Sequence, residues 1–317
     1  MSSRLLPASR VFVATIVLTA FACQPVSPDE TWDSWEFEGF RIVSFVPEDP
    51  VGLVYFFHGS GGSAAFVSRI ETTEMINELT SRGYGFVATE STLRTGTRRW
   101  AVSDPSLVTN PDLARLTRLH AAMITVTDVT ATTPILGIGM SNGARMVTLF
   151  GQSFADAGYP VAAIAPYAGR VADPVAAAGG LTVPSFFVIN VNDQIVDNAA
   201  IITNYEDAVA NGTPAVLTTK YEEPLRAMRF TRIPAIDESE AQAVRRAFEA
   251  TGVWDATGDR IVDIEPAIDL LSQVDLPTSV RSERGAIRSQ VQALLGLHQF
   301  TALYKSPLAD FFDDQLL

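Results

Sequence analysis

The chain has one cysteine, Cys23, among 317 residues. No internal disulfide can form, so the core alone must hold the fold, which a chain of this length can manage. Histidine is nearly as scarce, with His58, His120 and His298 only. Lysine is confined to Lys220 and Lys305, and basic residues number 23 against 36 acidic ones. The resulting net charge of −13 argues against nucleic acid or an anionic membrane as partner. The spacings H-x-x-E-H and H-E-x-x-H and paired cysteines are missing too, so the sequence implies no metal and no other cofactor. The apolar run at 11–21 is too short to cross a membrane as a helix.

That run fits a leader instead. Arg4 and Arg10 precede or open it, and Ala20-Phe21-Ala22 stands just before Cys23. This is the layout of a secretory signal. Residues 1–22 are therefore read as a signal peptide, 23–30 as a tether and 31–317 as the one folded domain. A cysteine directly after the cleavage point resembles the bacterial lipoprotein signal, in which that cysteine is lipidated. Ala20 stands where the signal prefers leucine, and ordinary cleavage leaving a free thiol is the other reading. The expectation is export, either with a lipid anchor at Cys23 on the cell envelope or as a secreted protein.

Apolar residues make up 47% and charged residues 19%, the balance of a globular chain. Strand patterns at 35–37, 40–46, 51–57, 84–89, 135–138, 161–165 and 184–189 alternate with helical patterns at 71–82, from Asn110, and at 142–157. That alternation predicts an α/β fold with a mostly parallel sheet and helices on both faces. Ligands bind such sheets at the carboxyl ends of the strands. Beyond a helix at 198–210, segments 215–221 and 226–233 look extended. A helical insertion of about 234–285 then interrupts the pattern, opened by Asp237 and Glu240 in capping-box spacing. A helix from 286 carries Ile287, Val291, Leu294 and His298 on one stripe, and a last helix covers 308–316.

The motif that organises the rest is Gly139-Met140-Ser141-Asn142-Gly143, between a strand and a helix. Strand, G-x-S-x-G, helix is the nucleophile-elbow pattern, in which a tight turn exposes the serine hydroxyl. A serine needs a base within hydrogen-bond reach and an acid to orient that base. In chains with this elbow the acid and then the histidine follow the serine. His58 and His120 precede Ser141, so His298 is the candidate base. Asp193, just past the strand at 184–189, is the candidate acid, and Asp197 one helical turn on is its rival. An oxyanion hole needs two backbone N–H groups. Asn142, after the serine, supplies one, and Ser60 in His58-Gly59-Ser60-Gly61-Gly62 the other. His58 is assigned to holding that loop and His120 to helix packing. Trp100, beside Arg98 and Arg99, is a candidate substrate-binding residue in the cleft; equally, it is the one anchoring aromatic of a surface loop.

These residues carry a resemblance. The chain resembles the serine α/β-hydrolases. Gly139-Met140-Ser141-Asn142-Gly143-Ala144-Arg145-Met146 looks like the elbow of the polyhydroxybutyrate depolymerase and feruloyl esterase group. His58 to Gly62 matches that group's oxyanion segment, and Asn110-Pro111-Asp112-Leu113 is similar to its helix before the elbow strand. The likeness covers roughly residues 40–200 and the surroundings of His298. It implies an α/β-hydrolase fold and metal-free hydrolysis of a carboxylic ester, whether small molecule or polymer. The chain departs from the group in Ala144-Arg145 and in the long interval from Asp193 to His298. A serine peptidase, a thioesterase or a non-catalytic surface binding protein could use the same frame.

Overall fold

Every side chain of β3 (Leu53–Phe57) is buried, as its unbroken apolar run requires of a strand covered on both faces. Alternate residues point to opposite faces of a sheet. Leu53, Tyr55 and Phe57 accordingly join one core, with Leu113, Leu116, Phe150 and Phe154. Val54 and Phe56 join a second core, with Met75, Ile76, Leu308 and Phe312. Burying one such side chain contributes about 1.5–3 kcal/mol, so these two layers hold the sheet without covalent help.

The computed structural model describes residues 32–316. The expected signal peptide, Cys23 and the tether lie outside the described residues. The other strands are β1 (Asp33–Phe37), β2 (Phe40–Phe45), β4 (Gly85–Ala88), β5 (Ile135–Met140), β6 (Val161–Tyr167), β7 (Ser185–Asn190) and β8 (Ala215–Lys220). They form an eight-stranded sheet in the order β1-β2-β4-β3-β5-β6-β7-β8. β2 runs antiparallel to β1 and β4, and the remaining pairs are parallel. Helices α1 (Ile70–Ser81), α2 (Pro111–Val126), α3 (Asn142–Asp156), α4 (Asp173–Ala177) and α5 (Asn198–Ala210) follow or connect strands. This mostly parallel, two-faced sheet is the α/β-hydrolase fold. Start signals are local. Asn110 accepts the N–H groups of Asp112 and Leu113, and Pro111 occupies the first helical turn of α2.

Past β8 the chain leaves the sheet and builds a third core from Leu225 to Leu297, reaching beyond the 234–285 read from the sequence. It contains α6 (Glu238–Glu249), α7 (Ile264–Leu271) and α8 (Arg284–Leu294), with the capping box of Asp237 and Glu240 in place. The stretch expected to be extended at 226–233 is instead a 3-10 helix, Ala227–Arg232. Its three-residue period explains why: Ala227 and Phe230 are buried, while Arg229 and Arg232 share another side. Both arginines pair with Glu71 of α1, at 3.0 and 2.7 Å. The two lysines lie along the same seam, Lys220 on Glu223 at 2.6 Å and Lys305 on Glu74 at 3.5 Å. The seam fastens the insertion to the sheet domain.

The stripe that puts His298 on a helix also needs correction. α8 stops at Leu294, and Gly296 adopts φ +64, the left-handed terminator that glycine supplies without steric penalty. His298 therefore sits in a bend beyond the helix, not on it. The final helix is α9 (Lys305–Asp314). The insertion returns close to where it left. Val191 N–H donates to Lys220 O at 2.9 Å and Asn192 N–H to Gly296 O at 3.0 Å. A Cβ on Gly296 would stand 3.0 Å from Lys220 O.

Candidate active site

Ser141 closes the turn between β5 and α3 with φ 59 and ψ −118. Such a conformation costs a non-glycine residue about 1–3 kcal/mol and persists only where its surroundings enforce it. Here they do. Ser141 N–H is tied to Tyr167 O at 2.9 Å, and the carbonyl of Ser141 receives Ala144 and Arg145 N–H. The flanking glycines are needed for space. A Cβ on Gly139 would overlap the Gly143 carbonyl, and one on Gly143 would overlap Phe57 O. The Ser141 hydroxyl makes no hydrogen bond among the described residues.

The candidate acid and base meet. His298 Nδ1 donates to Asp193 Oδ2 at 2.7 Å. The Asp193 side chain is 0% exposed and that of His298 12%. Asp193 Oδ1 accepts Ile195 N–H at 2.9 Å and Val196 N–H at 3.0 Å, so both carboxylate oxygens are satisfied. The rival Asp197 is occupied elsewhere, capping α5 through Ala199 N–H at 2.9 Å. Two asparagines that sequence reasoning passed over fasten the histidine bend. Asn190 Nδ2 donates to Gln299 O at 3.0 Å and Asn192 Nδ2 to Leu295 O at 2.8 Å. Their only sequence signal is polarity directly at a strand end.

Ser60 stands on the loop after β3. Gly61 N–H donates to Arg98 O at 2.8 Å and Gly62 N–H to Gly59 O at 3.0 Å. The N–H groups of Ser60 and Asn142 have no partner among the described residues. Gly59 backs directly onto the elbow: a Cβ there would come 3.4 Å from Ser141 Cβ. The same Cβ would press harder on Met140, at 3.2 Å from its Sδ and 3.3 Å from its carbonyl oxygen.

His58 holds this loop from below. Its Nδ1 donates to Gly59 O at 2.7 Å and its Nε2 accepts Ser91 N–H at 3.2 Å. That pairing fixes a neutral ring, and burial pushes its pKa down to about 4. With both nitrogens engaged it cannot serve as a base. Trp100 is not a cleft residue: it is 2% exposed and does not line the cavity at Ser141. Its ring lies 4.8 Å from His58, its indole N–H donates to His58 O at 2.8 Å, and its backbone N–H donates to Asn142 Oδ1 at 2.7 Å. It is the anchoring aromatic. Burying the large indole is worth more than leaving it on an aperiodic loop. His120 packs in the core, sharing a hydrogen bond with the Tyr55 hydroxyl at 3.0 Å, and burial lowers its pKa.

A cleft of about 430 Å³ opens at Ser141. Asn142, Arg145 and Arg170 flank the serine, and Ile195, Val196 and Ala200 supply apolar surface. Arg145 and Arg170 share Asp173, the former at 2.6 Å. Among the described residues no group of three or more His, Cys, Asp or Glu side chains is disposed to hold a metal ion. Ser141, with its unpaired hydroxyl, and Asn142 line this small-molecule-sized cleft, while the carboxylate-oriented imidazole of His298 and the loop N–H of Ser60 are not part of its lining.

No protein-family model matches the chain, and no curated protein matches it. Part of it is similar to solved esterase structures. An esterase of Pyrobaculum calidifontis shares 15% identity at a TM-score of 0.46, covering 59% of this chain and 74% of that one. The esterase PE8 shares 16% at 0.44, covering 60% and 88%. Est1E of Butyrivibrio proteoclasticus, solved with ferulic acid bound, shares 14% at 0.42, covering 59% and 88%.

Proposed function

We propose that the protein hydrolyses carboxylic esters through Ser141, His298 and Asp193 by way of an acyl-enzyme. The observation that carries this reading is the 2.7 Å bond from His298 Nδ1 to the enclosed Asp193 carboxylate, in a chain whose Ser141 turn is held at φ 59. Asp193 fixes the proton on Nδ1 and leaves Nε2 as the acceptor. Ser141 Oγ attacks the ester carbonyl carbon while its proton passes to His298 Nε2. The carbonyl π electrons move onto oxygen, which the N–H groups of Ser60 and Asn142 stabilise. Each such donor is worth about 3–4 kcal/mol at the transition state. Collapse expels the alkoxide, which takes the proton from Nε2. Water then repeats the sequence on the acyl-enzyme and frees the acid.

A purified chain lacking residues 1–22 should turn over short p-nitrophenyl esters and take a fluorophosphonate label. Both should vanish in Ser141→Ala. Retained turnover in that variant would reject the reading. The cleft size supports a small ester or one unit of a polyester, and an ester series of graded size separates the two. The leader pattern and Cys23 support export with a lipid anchor. Globomycin sensitivity and incorporation of labelled palmitate test the anchor, and an unmodified mature N-terminus would exclude it.

A further inference from the structure

A second cavity, of about 290 Å³, lies within the insertion and shares no lining residue with the cleft at Ser141. Phe248 of α6, Leu271 of α7, and Val274 and Leu276 beyond it form its apolar wall. Each of the four is buried. Arg284 and Arg288, one turn apart on α8, line it as well. Both arginines are exposed, and neither makes an ion pair among the described residues. Their distinction is where they lie, at the rim of an apolar cavity with no carboxylate in its lining. The neighbouring Arg245 and Arg281 are paired, with Glu249 at 2.7 Å and Asp275 at 3.0 Å. The chain also carries 36 acidic residues, yet none lines this cavity.

We infer that this cavity binds a free medium-chain fatty carboxylate, with the tail against Phe248, Leu271, Val274 and Leu276 and the carboxylate on Arg284 and Arg288. A single charge at one end and a hydrocarbon at the other is what the walls complement. Arginine matches a carboxylate in shape as well as charge. The α8 N-terminus, where Arg284 and Gly285 sit, adds partial positive charge on the same side. The volume is at the low end for ligand sites, enough for one chain and not for a two-chain lipid. Because each buried methylene strengthens binding roughly fourfold, affinity should climb with tail length until the cavity is full.

The test is isothermal titration of the mature chain, with sodium octanoate, decanoate and dodecanoate below their micelle concentrations. Expected is saturable 1:1 binding that tightens along the series, with no heat from acetate and at least tenfold weaker binding of decanol. Arg284→Gln/Arg288→Gln should weaken decanoate at least tenfold with Tm unchanged, since both side chains are exposed and unpaired. Ser272→Trp, at an exposed lining position, should block the cavity. Arg170→Gln, in the other cleft, should leave binding intact. The proposal is overturned by absent or non-saturable binding, by binding that survives both insertion variants, or by loss in Arg170→Gln instead. It is equally overturned if only anionic vesicles, and not monomeric decanoate, bind through Arg284 and Arg288. Ester turnover plays no part in these readouts, so they stand whether or not Ser141 is a nucleophile.

Discussion

Glu71 accepts the backbone N–H of Ala302 at 2.7 Å, just downstream of His298, and its other oxygen takes both Arg229 and Arg232. One carboxylate, 6% exposed, thus joins α1, the insertion and the chain that leaves the histidine bend. Burial alone would raise its pKa, but the two guanidinium groups and the N–H hold it below the usual carboxylate range. A depressed folded pKa contributes stability that is present above the unfolded value of about 4.3 and is lost as pH falls through the folded one. Glu71→Gln should therefore lower unfolding free energy at pH 7 by about 3–5 kcal/mol, the cost of leaving buried arginines unmatched. Below about pH 4 its deficit should narrow. Urea titrations at pH 7 and 3.5 check both points, and a constant deficit would dismiss the ionised role.

His58 predicts a different window. Its folded pKa of about 4 lies below the ordinary value of about 6.5, because burial disfavours the charged ring. Between these values the unfolded chain binds the extra proton, so stability falls as pH drops from about 6.5 to about 4, by about 3 kcal/mol in all. Protonating Nε2 must also displace Ser91 N–H. Guanidinium midpoints at pH 7.5 and 5 should separate clearly for the parent and much less for His58→Gln.

Asp193→Asn should keep the fold and lose the chemistry. The two N–H groups of Ile195 and Val196 require an oxygen, so the asparagine must turn its NH₂ toward His298 Nδ1. That forces the ring proton onto Nε2, the atom that receives the Ser141 proton in the proposed mechanism. A fall in kcat of about 10⁴-fold with an unchanged near-ultraviolet circular dichroism spectrum is expected. A kcat within tenfold of the parent would remove Asp193 from its orienting role.

Trp100→Phe separates a buried anchor from a substrate contact. It deletes the N–H that bonds His58 O and leaves the loop carrying Ser60 less constrained. Stability should drop by about 1–3 kcal/mol. kcat should drop by the same factor for p-nitrophenyl acetate, butyrate and octanoate, with KM nearly constant. An effect graded with acyl length would instead put the indole against the substrate.

Much of this was written in the sequence. The apolar runs of β3, β5 and β7 announce strands covered on both faces, and the glycines around Ser141 announce a turn with no room for side chains. Scarcity of histidine, with chain order, singles out His298. Other features depend on tertiary neighbours and leave no local trace. Trp100 lies on an aperiodic loop, and nothing local says whether its ring faces the cleft or His58. The His298 spacing continues a helical stripe by accident, and Gly296 was the signal that the helix ends first. Segment 226–233 reads as extended because a single short 3-10 helix, with only Ala227 and Phe230 buried, is too brief to set up a helical period. Asn190 and Asn192 acquire their role only when the histidine bend folds against them.

The contact between Gly296 and the Lys220 carbonyl has a consequence for how this chain can change. The polypeptide departs and returns through one narrow doorway at the end of β7 and β8, and everything in between carries its own core. Such a side loop is a cassette: recombination can swap, shrink or remove it while the sheet keeps its register. What any replacement must preserve is small. It needs an acceptor for Asn192 at the return point, and a matched charge for Glu71, which would otherwise be stranded in the interior.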